Sequence, residues 1–215
     1  MGSQLAPDPE EVSLRLRSAG IDDRAVVCAD PPDRPDAKQP PEGPWLLVPY
    51  GQQVLVGALG RGKFAPYEAM WTAEDAVDLA VRLAGSALPP RSTPVEPDAE
   101  RSGLRTAEAV RERVAPLDGA PGPARLVPGD ALDCFGVETG HHLYALGTPF
   151  PQRSQPPSDV GAPYFTFEVV QPFPDKVREG IAAPWFEQPG GGAMIVLDRP
   201  IRWYVDQSFL VLTGQ

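Results

Sequence analysis

The run Ala183-Pro184-Trp185-Phe186-Glu187-Gln188-Pro189-Gly190-Gly191-Gly192 gathers two aromatic rings, one uncharged amide and a proline followed by three glycines. Each residue type suits a nucleotide-like ligand. Rings flank flat heterocycles. An amide bonds hydroxyls without adding charge. Pro189 restricts Gln188 to an extended backbone, so its amide is presented in a defined direction. The glycines permit positive φ and a close approach of backbone to ligand. A glycine turn before the apolar run Ala193-Met194-Ile195-Val196-Leu197 accounts for the same residues without a ligand.

Two further blocks lie upstream. The first is Leu132-Asp133-Cys134-Phe135-Gly136-Val137-Glu138-Thr139-Gly140-His141-His142-Leu143, and the second is Gly147-Thr148-Pro149-Phe150-Pro151-Gln152-Arg153-Ser154. In order and spacing the three blocks resemble the tuberculosis necrotizing toxin family of NAD+ glycohydrolases. That family has an L-D-R-F-G block, then G-T-P-F-x-Q-R, then A-P-W-F-x-Q-P-G-G-G. The resemblance runs from about Gly103 to the C-terminus, and it implies hydrolysis of NAD+ to nicotinamide and ADP-ribose. NAD+ is then the substrate, with no further cofactor. An immunity protein or a delivery partner is the implied protein partner.

Carried over residue by residue, the resemblance marks Gln188 as catalytic, orienting the scissile ribose or the attacking water. A turn glutamine bonding its own backbone is the alternative. Trp185 and Phe186 match the aromatic pair; both can also be core, and Phe186 is expected there. Arg153 matches the Gln-Arg block, to hold phosphate or brace the site loop, with an internal salt bridge as the alternative. Phe135 is expected to line the pocket. His142 falls where the toxin has a tyrosine. Cys134 stands at the arginine that the resemblance assigns to NAD+ binding and catalysis, and a thiol supplies neither a permanent cation nor a fork of donors. Arg199 and Arg202 are the candidates to replace that charge, or else they mark a solvated strand end. The toxin's downstream histidine has no counterpart over residues 164–169. The expected site is therefore Gln188, Arg153 and His142 for catalysis, with Phe135, Cys134, Trp185, Phe186 and Arg202 around NAD+. Restoring the arginine by Cys134→Arg is expected to raise turnover.

Composition limits the rivals. The 215 residues carry a net charge of −10, and both sides of Gly103 are acidic. A nucleic-acid binder should show a basic face, and a membrane-surface protein a polybasic patch. The two cysteines, Cys28 and Cys134, have no metal-ligand spacing, and buried thiols are expected rather than a bridge. His141 and His142 are the only histidines, and neighbours on a strand point to opposite faces, so no metal site is assigned. Residues 1–11 lack the basic start and apolar run of a signal peptide, and no stretch approaches a membrane span. A cytoplasmic protein is expected, or one exported by a route without such a signal.

Asp8 followed by Pro9 reads as a helix start, with Val12, Leu16 and Ala19 on one face. Strands are expected over residues 25–29, 46–48 and 54–59, and Thr72 caps a helix over 73–84. These make a small hairpin-plus-helix module within residues 1–86. Residues 87–103, rich in proline, read as a linker. The third part, 104–215, is expected to hold a helix over 107–115 and strands at 142–145, 164–170, 193–197, 202–205 and 209–212. No strand-helix-strand rhythm appears, so the fold class is α+β with a mostly antiparallel sheet. Two other functions fit the same residues: a catalytically degenerate NAD-binding or regulatory relative, and an interaction protein that docks a partner through the N-terminal module.

Overall fold

A computed structural model describes residues 6–31 and 38–215. Part of residues 1–11, and part of the proline-rich, charged stretch 30–44 that reads as a loop, lie outside the described residues. Helices α1–α5 and strands β1–β11 sort into two units, one of residues 1–88 with 138–140, the other of residues 89–137 with 141–215.

The first unit is a four-stranded sheet in the order β1-β2-β3-β4, with β1 parallel to β2 and the rest antiparallel. Helix α1 (Pro9–Ser18) starts as its sequence predicts: Asp8 accepts from the Glu10 N–H, and Val12 and Leu16 are buried. Helix α2 (Ala73–Gly85) is capped by Thr72, whose side chain accepts from the Asp75 N–H at 3.0 Å. Strands β1 (Val26–Cys28), β2 (Trp45–Tyr50) and β3 (Gln53–Gly60) fall where apolar runs place them. Strand β4 (Lys63–Met70) was not expected, because Pro66 interrupts it. The β3–β4 register shifts between Val56 and Gly57, and Gly57 then faces Pro66. That bulge admits the proline.

The second unit is a seven-stranded antiparallel sheet in the order β11-β8-β6-β7-β10-β9-β5. Strands β7 (His142–Ala145), β8 (Tyr164–Val169), β10 (Ala193–Val196) and β11 (Leu210–Thr213) lie within a residue or two of expectation. Strands β5 (Gly122–Pro123), β6 (Ala131–Phe135) and β9 (Arg178–Ile181) complete the sheet.

Helix α3 corrects the expected linker. It runs over Pro97–Val114, ten residues earlier at its start than predicted. Its first half buries small side chains, Ser102 and Gly103, instead of large ones, so the usual apolar periodicity is missing. Gly103 is obligatory: a Cβ there would fall on the Leu146 carbonyl. The proline-rich stretch ahead of α3 is tied down. Arg91 N–H donates to Tyr164 O at 2.7 Å, Ser92 N–H to Gly214 O at 3.1 Å, and Arg91 Nη1 to Thr166 Oγ1 at 2.6 Å.

Residues 202–205 are also corrected, from strand to helix α5 (Ile201–Asp206). Pro200, with φ −56°, precedes its first residue, and Arg202 Nε meets Asp206 one turn on at 2.9 Å. The alternating apolar residues there pack an aromatic cluster instead of a sheet face. Tyr204 lies with Phe173 and Phe209 at ring separations of 5.1 and 5.7 Å.

Candidate functional site

Strand β6 divides its residues between two faces. Its partners across the sheet pair Leu132 with Phe167 and Cys134 with Phe165, while Asp133 pairs with Tyr144 and Thr166, and Phe135 with Tyr164. Directly opposed residues share a face. Leu132, Cys134, Phe165 and Phe167 therefore form an apolar layer, and Asp133, Phe135, Tyr144 and Tyr164 lie on the polar side.

On that polar side Asp133 and Arg153, both buried, form an ion pair at 2.6 Å. Arg153 Nη2 also donates to Asp133 Oδ2 at 2.7 Å, and Arg153 Nε to Thr148 O at 2.8 Å. Tyr164 Oη and the Gly147 N–H donate to the same carboxylate, at 2.7 and 2.9 Å. Burial pushes the Asp133 carboxyl up, while Arg153 and Tyr164 pull the other way. The pair stays ionised, since a protonated Asp133 would strand a buried guanidinium that cannot lose its charge. The guanidinium lies over two rings, 4.9 Å from the Phe135 centroid and 5.0 Å from that of Tyr144.

This pair fixes helix α4 (Phe150–Arg153), and α4 fixes the glycine run. Gly190 N–H donates to Pro151 O at 3.3 Å, Gly191 N–H to Ala182 O at 2.8 Å, and Gly192 N–H to Gln152 O at 2.9 Å. A Cβ on Gly192 would come within 2.7 Å of Gln152 O. Gly190 and Gly192 thus approach protein backbone, whereas a Cβ on Gly191 would meet nothing within 4 Å. Gly190 and Gly191 have φ of +68° and +93°. The second and third sequence blocks are one hydrogen-bonded structure.

Ahead of the glycines, Trp185 to Gln188 close a tight turn, with the Gln188 N–H donating to Trp185 O at 2.9 Å. Its central residues, Phe186 and Glu187, have φ of +51° and +59°. That pattern is a type I′ turn, whose central positions favour glycine or asparagine. Each non-glycine residue held there stores strain of order 1–3 kcal/mol. Replacing Glu187→Gly should therefore stabilise the second unit by roughly 1 kcal/mol after the entropic cost of glycine. Urea unfolding of the variant beside the parent checks this; a lower midpoint would show that Glu187 makes a compensating interaction.

Gln188 follows this turn. Its Nε2 donates to Gln155 O at 2.7 Å, and its buried Oε1 takes no donor from the protein. The Gln155 side chain donates from Nε2 to Phe135 O and to Asp159 Oδ2, both at 3.2 Å. Phe135, Arg153 and Gln188 are thereby joined, through Gln155 and the Arg153–Phe135 contact. Trp185 is 67% exposed beside them, with its ring 5.7 Å from that of Phe186.

Several expected residues sit otherwise. Phe186, expected in the core, is 45% exposed, because the left-handed turn carries it outward. Arg153 is enclosed by Asp133 and Thr148, so its placement fits bracing the loop and not touching phosphate. Cys134 is buried in the apolar layer, away from Asp133 and Phe135, and burial pushes its thiol far up. It has no route to a ligand there. Arg202 is 9% exposed and turned to Asp206, so the expected NAD+ contact does not fit its place on α5. Arg199 covers the Trp203 ring at 4.8 Å. His142 is half-buried on β7 and its ring lies 4.5 Å from that of His141. The two rings do not point apart as strand neighbours would, because β7 begins at His142 and His141 precedes it. Cys28, half-buried in the first unit, has its thiol pushed up to about 11 by burial, and both cysteines are free.

Sequence reasoning missed Asp133, Tyr164 and Gln155. Asp133 lies inside a quoted block, and its pairing with an arginine 20 positions on leaves no local signal. It also missed Arg111 of α3, whose Nη2 reaches Gly191 O at 3.5 Å and sets a cation beside the glycine run. Among the described residues no three His, Cys, Asp or Glu side chains group as metal ligands, and no helix is long and apolar enough to cross a membrane.

Comparison with known proteins finds a curated relative, solved structures and a family model. The chain is 38% identical over 96 residues to the conidial surface nicotinamide adenine dinucleotide glycohydrolase of Aspergillus fumigatus, across 41% of this chain and 40% of that one. It thus spans two fifths of the length of that curated relative. Two solved structures align more loosely. One is the tuberculosis necrotizing toxin complexed with its immunity factor, 18% identical at a TM-score of 0.34, over 59% of this chain and 58% of that one. The other is Tse6 in complex with Tsi6, 12% identical at a TM-score of 0.30, over 56% and 100%. The family model described as tuberculosis necrotizing toxin matches residues 125–212, which take in β6, α4, the strained turn and the glycine run. Residues 125–212, nearly all of them in the second unit, thus match the tuberculosis necrotizing toxin domain.

Proposed function

We propose that the second unit hydrolyses NAD+ to nicotinamide and ADP-ribose. The observation that carries this reading is the joining of Gln188, Gln155 and Phe135 by hydrogen bonds inside the matched domain. The relative named as a glycohydrolase of the same dinucleotide supports it. In the reaction the bond between the ribose C1′ and the pyridinium nitrogen breaks, and nicotinamide leaves neutral with the bonding pair. Water adds its oxygen to C1′ and releases a proton to solvent. The leaving group is already cationic, so it needs no acid, and the transition state resembles an oxocarbenium ion. What the protein must do is orient ribose and water. Gln188 does this through its amide, Trp185 offers a ring to the nicotinamide, and Arg153 and Asp133 hold the loop that presents both. Phe135 borders the site, and His142, two residues before Tyr144 on β7, is proposed to share its face.

Gln188→Ala should lower kcat on NAD+ by about 10²–10³, the size typical of losing one oriented donor or acceptor at a reacting centre, with little change in unfolding midpoint. Nicotinamide release measured over time checks this. Unchanged turnover in the variant would remove Gln188 from the reaction.

A second reading, a relative that binds NAD+ without turning it over, is favoured by one observation. Cys134 occupies the family's arginine position and packs on Phe165, so this position supplies no cation. Wild-type protein that binds NAD+ in calorimetry and leaves it intact would establish that reading. On the motif resemblance alone we also propose an immunity-type or delivery partner, and residues 1–86 as a separate module to dock it. Loss of turnover on mixing with such a partner tests the first, and pulldown through that module tests the second.

A further inference from the structure

Gln188 has two ends to its amide, and only one is free. Nε2 is held on the Gln155 carbonyl at 2.7 Å, and a carbonyl can only accept. The amide orientation is therefore fixed by chemistry: reversing it would set two acceptor oxygens against each other. Oε1 is left buried and without a protein donor. An orphaned buried acceptor is costly, by about 1–3 kcal/mol, and a ligand hydroxyl relieves it.

The carbonyl that imposes this polarity belongs to Gln155, itself only 8% exposed. The Gln155 side chain is held between two acceptors from separate elements, Phe135 O at the end of β6 and Asp159 Oδ2 in the short turn of helix after α4. Both partners accept only, so this amide too has one possible orientation. Among the described residues no other hydrogen bond ties Gln155 to β6. The side chain anchors its own carbonyl, and that carbonyl aims Gln188.

We propose that Gln155 is a positioning residue for Gln188: it commits the Gln188 amide to act as a hydrogen-bond acceptor toward a hydroxyl donor of the ligand, a ribose hydroxyl or the attacking water. This rests on the NAD+ reading above. It makes Oε1 the end of the Gln188 amide that faces the ligand, with the second Nε2–H as its one remaining donor. Gln155 acts through Gln188 and touches no reacting atom.

The test is a double-mutant cycle on the full chain: wild type, Gln155→Leu, Gln188→Ala and the double variant, each followed for kcat and KM on NAD+ and for calorimetric NAD+ affinity. Leu keeps the volume and removes both side-chain donors. Gln155→Leu should lower kcat about 10-fold or more with KM changed less than about threefold, the pattern of an interaction made chiefly in the transition state. The double variant should be no slower than Gln188→Ala alone, since two residues acting as one unit are not additive. A merely structural Gln155 would give independent, multiplying losses, and that result overturns the proposal, as does an unchanged kcat in Gln155→Leu. Wild type without turnover sinks the hydrolase reading instead. The same cycle in NAD+ affinity then decides: non-additive losses uphold the positioning role, and additive losses, or no NAD+ binding by wild type, overturn it.

Discussion

Arg153→Met should destabilise the second unit by about 3–5 kcal/mol, the cost of leaving a buried charge without its partner. Asp133 would keep only the Tyr164 hydroxyl and the Gly147 N–H. A stability of about 5–15 kcal/mol is usual for a domain, so a large part of the total is at stake. The effect should reach the site as well, because the Arg153 carbonyl accepts from Tyr144 Oη at 2.6 Å and α4 carries the glycine run. A buried pair replaced on both sides by apolar residues of similar volume is often neutral. Arg153→Met combined with Asp133→Leu should therefore recover part of the loss, short of the amount carried by Tyr164 and Gly147. Urea unfolding followed by circular dichroism measures both variants. A loss below about 1 kcal/mol for Arg153→Met, the range of an exposed pair, would contradict the burial described here.

Cys134→Arg should not restore activity, contrary to the expectation from the motif alone; it should unfold the second unit. The thiol is 3% exposed in a layer made with Leu132, Phe165 and Phe167. A guanidinium there adds volume to a packed core, which costs about 1–3 kcal/mol. It also buries a charge with no partner in that layer, for several kcal/mol more. Cys134→Val, close in size and apolar, should fold normally and serves as the control. Loss of soluble protein or of native circular dichroism in the arginine variant alone is the expected result. A folded arginine variant with raised NAD+ turnover would mean that this position opens to the ligand.

What was legible in the sequence follows from range. Capping at Asp8 and Thr72 is local, and α1 and α2 begin where those residues say. Alternation in Tyr164-Phe165-Thr166-Phe167-Glu168-Val169 marks β8 because each apolar ring there does meet one face. Alternation also misled, at Ile201 to Val205, where Pro200 and the Arg202–Asp206 pair favour a helix that the apolar pattern alone hides. Helix α3 was read short because its early contacts use Ser102 and Gly103, and small residues carry no hydrophobic signature. The site was legible as three blocks, but not how they connect. Gln188 stood out by its neighbours. Gln155 had no motif around it, and its importance lies in a backbone carbonyl that any residue would possess. Arg153 was legible as a loop brace or an ion-pair residue, but its partner Asp133, 20 positions away, was not.

We propose above that this chain cleaves NAD+ by hydrolysis. The test is to incubate the purified protein of residues 1–215 with NAD+ and quantify NAD+, nicotinamide and ADP-ribose by chromatography over time. Nicotinamide and ADP-ribose should appear together, mole for mole, with catalytic turnover that Gln188→Ala suppresses. NAD+ that stays intact through prolonged incubation with excess protein, from a preparation shown by circular dichroism to be folded, would contradict it.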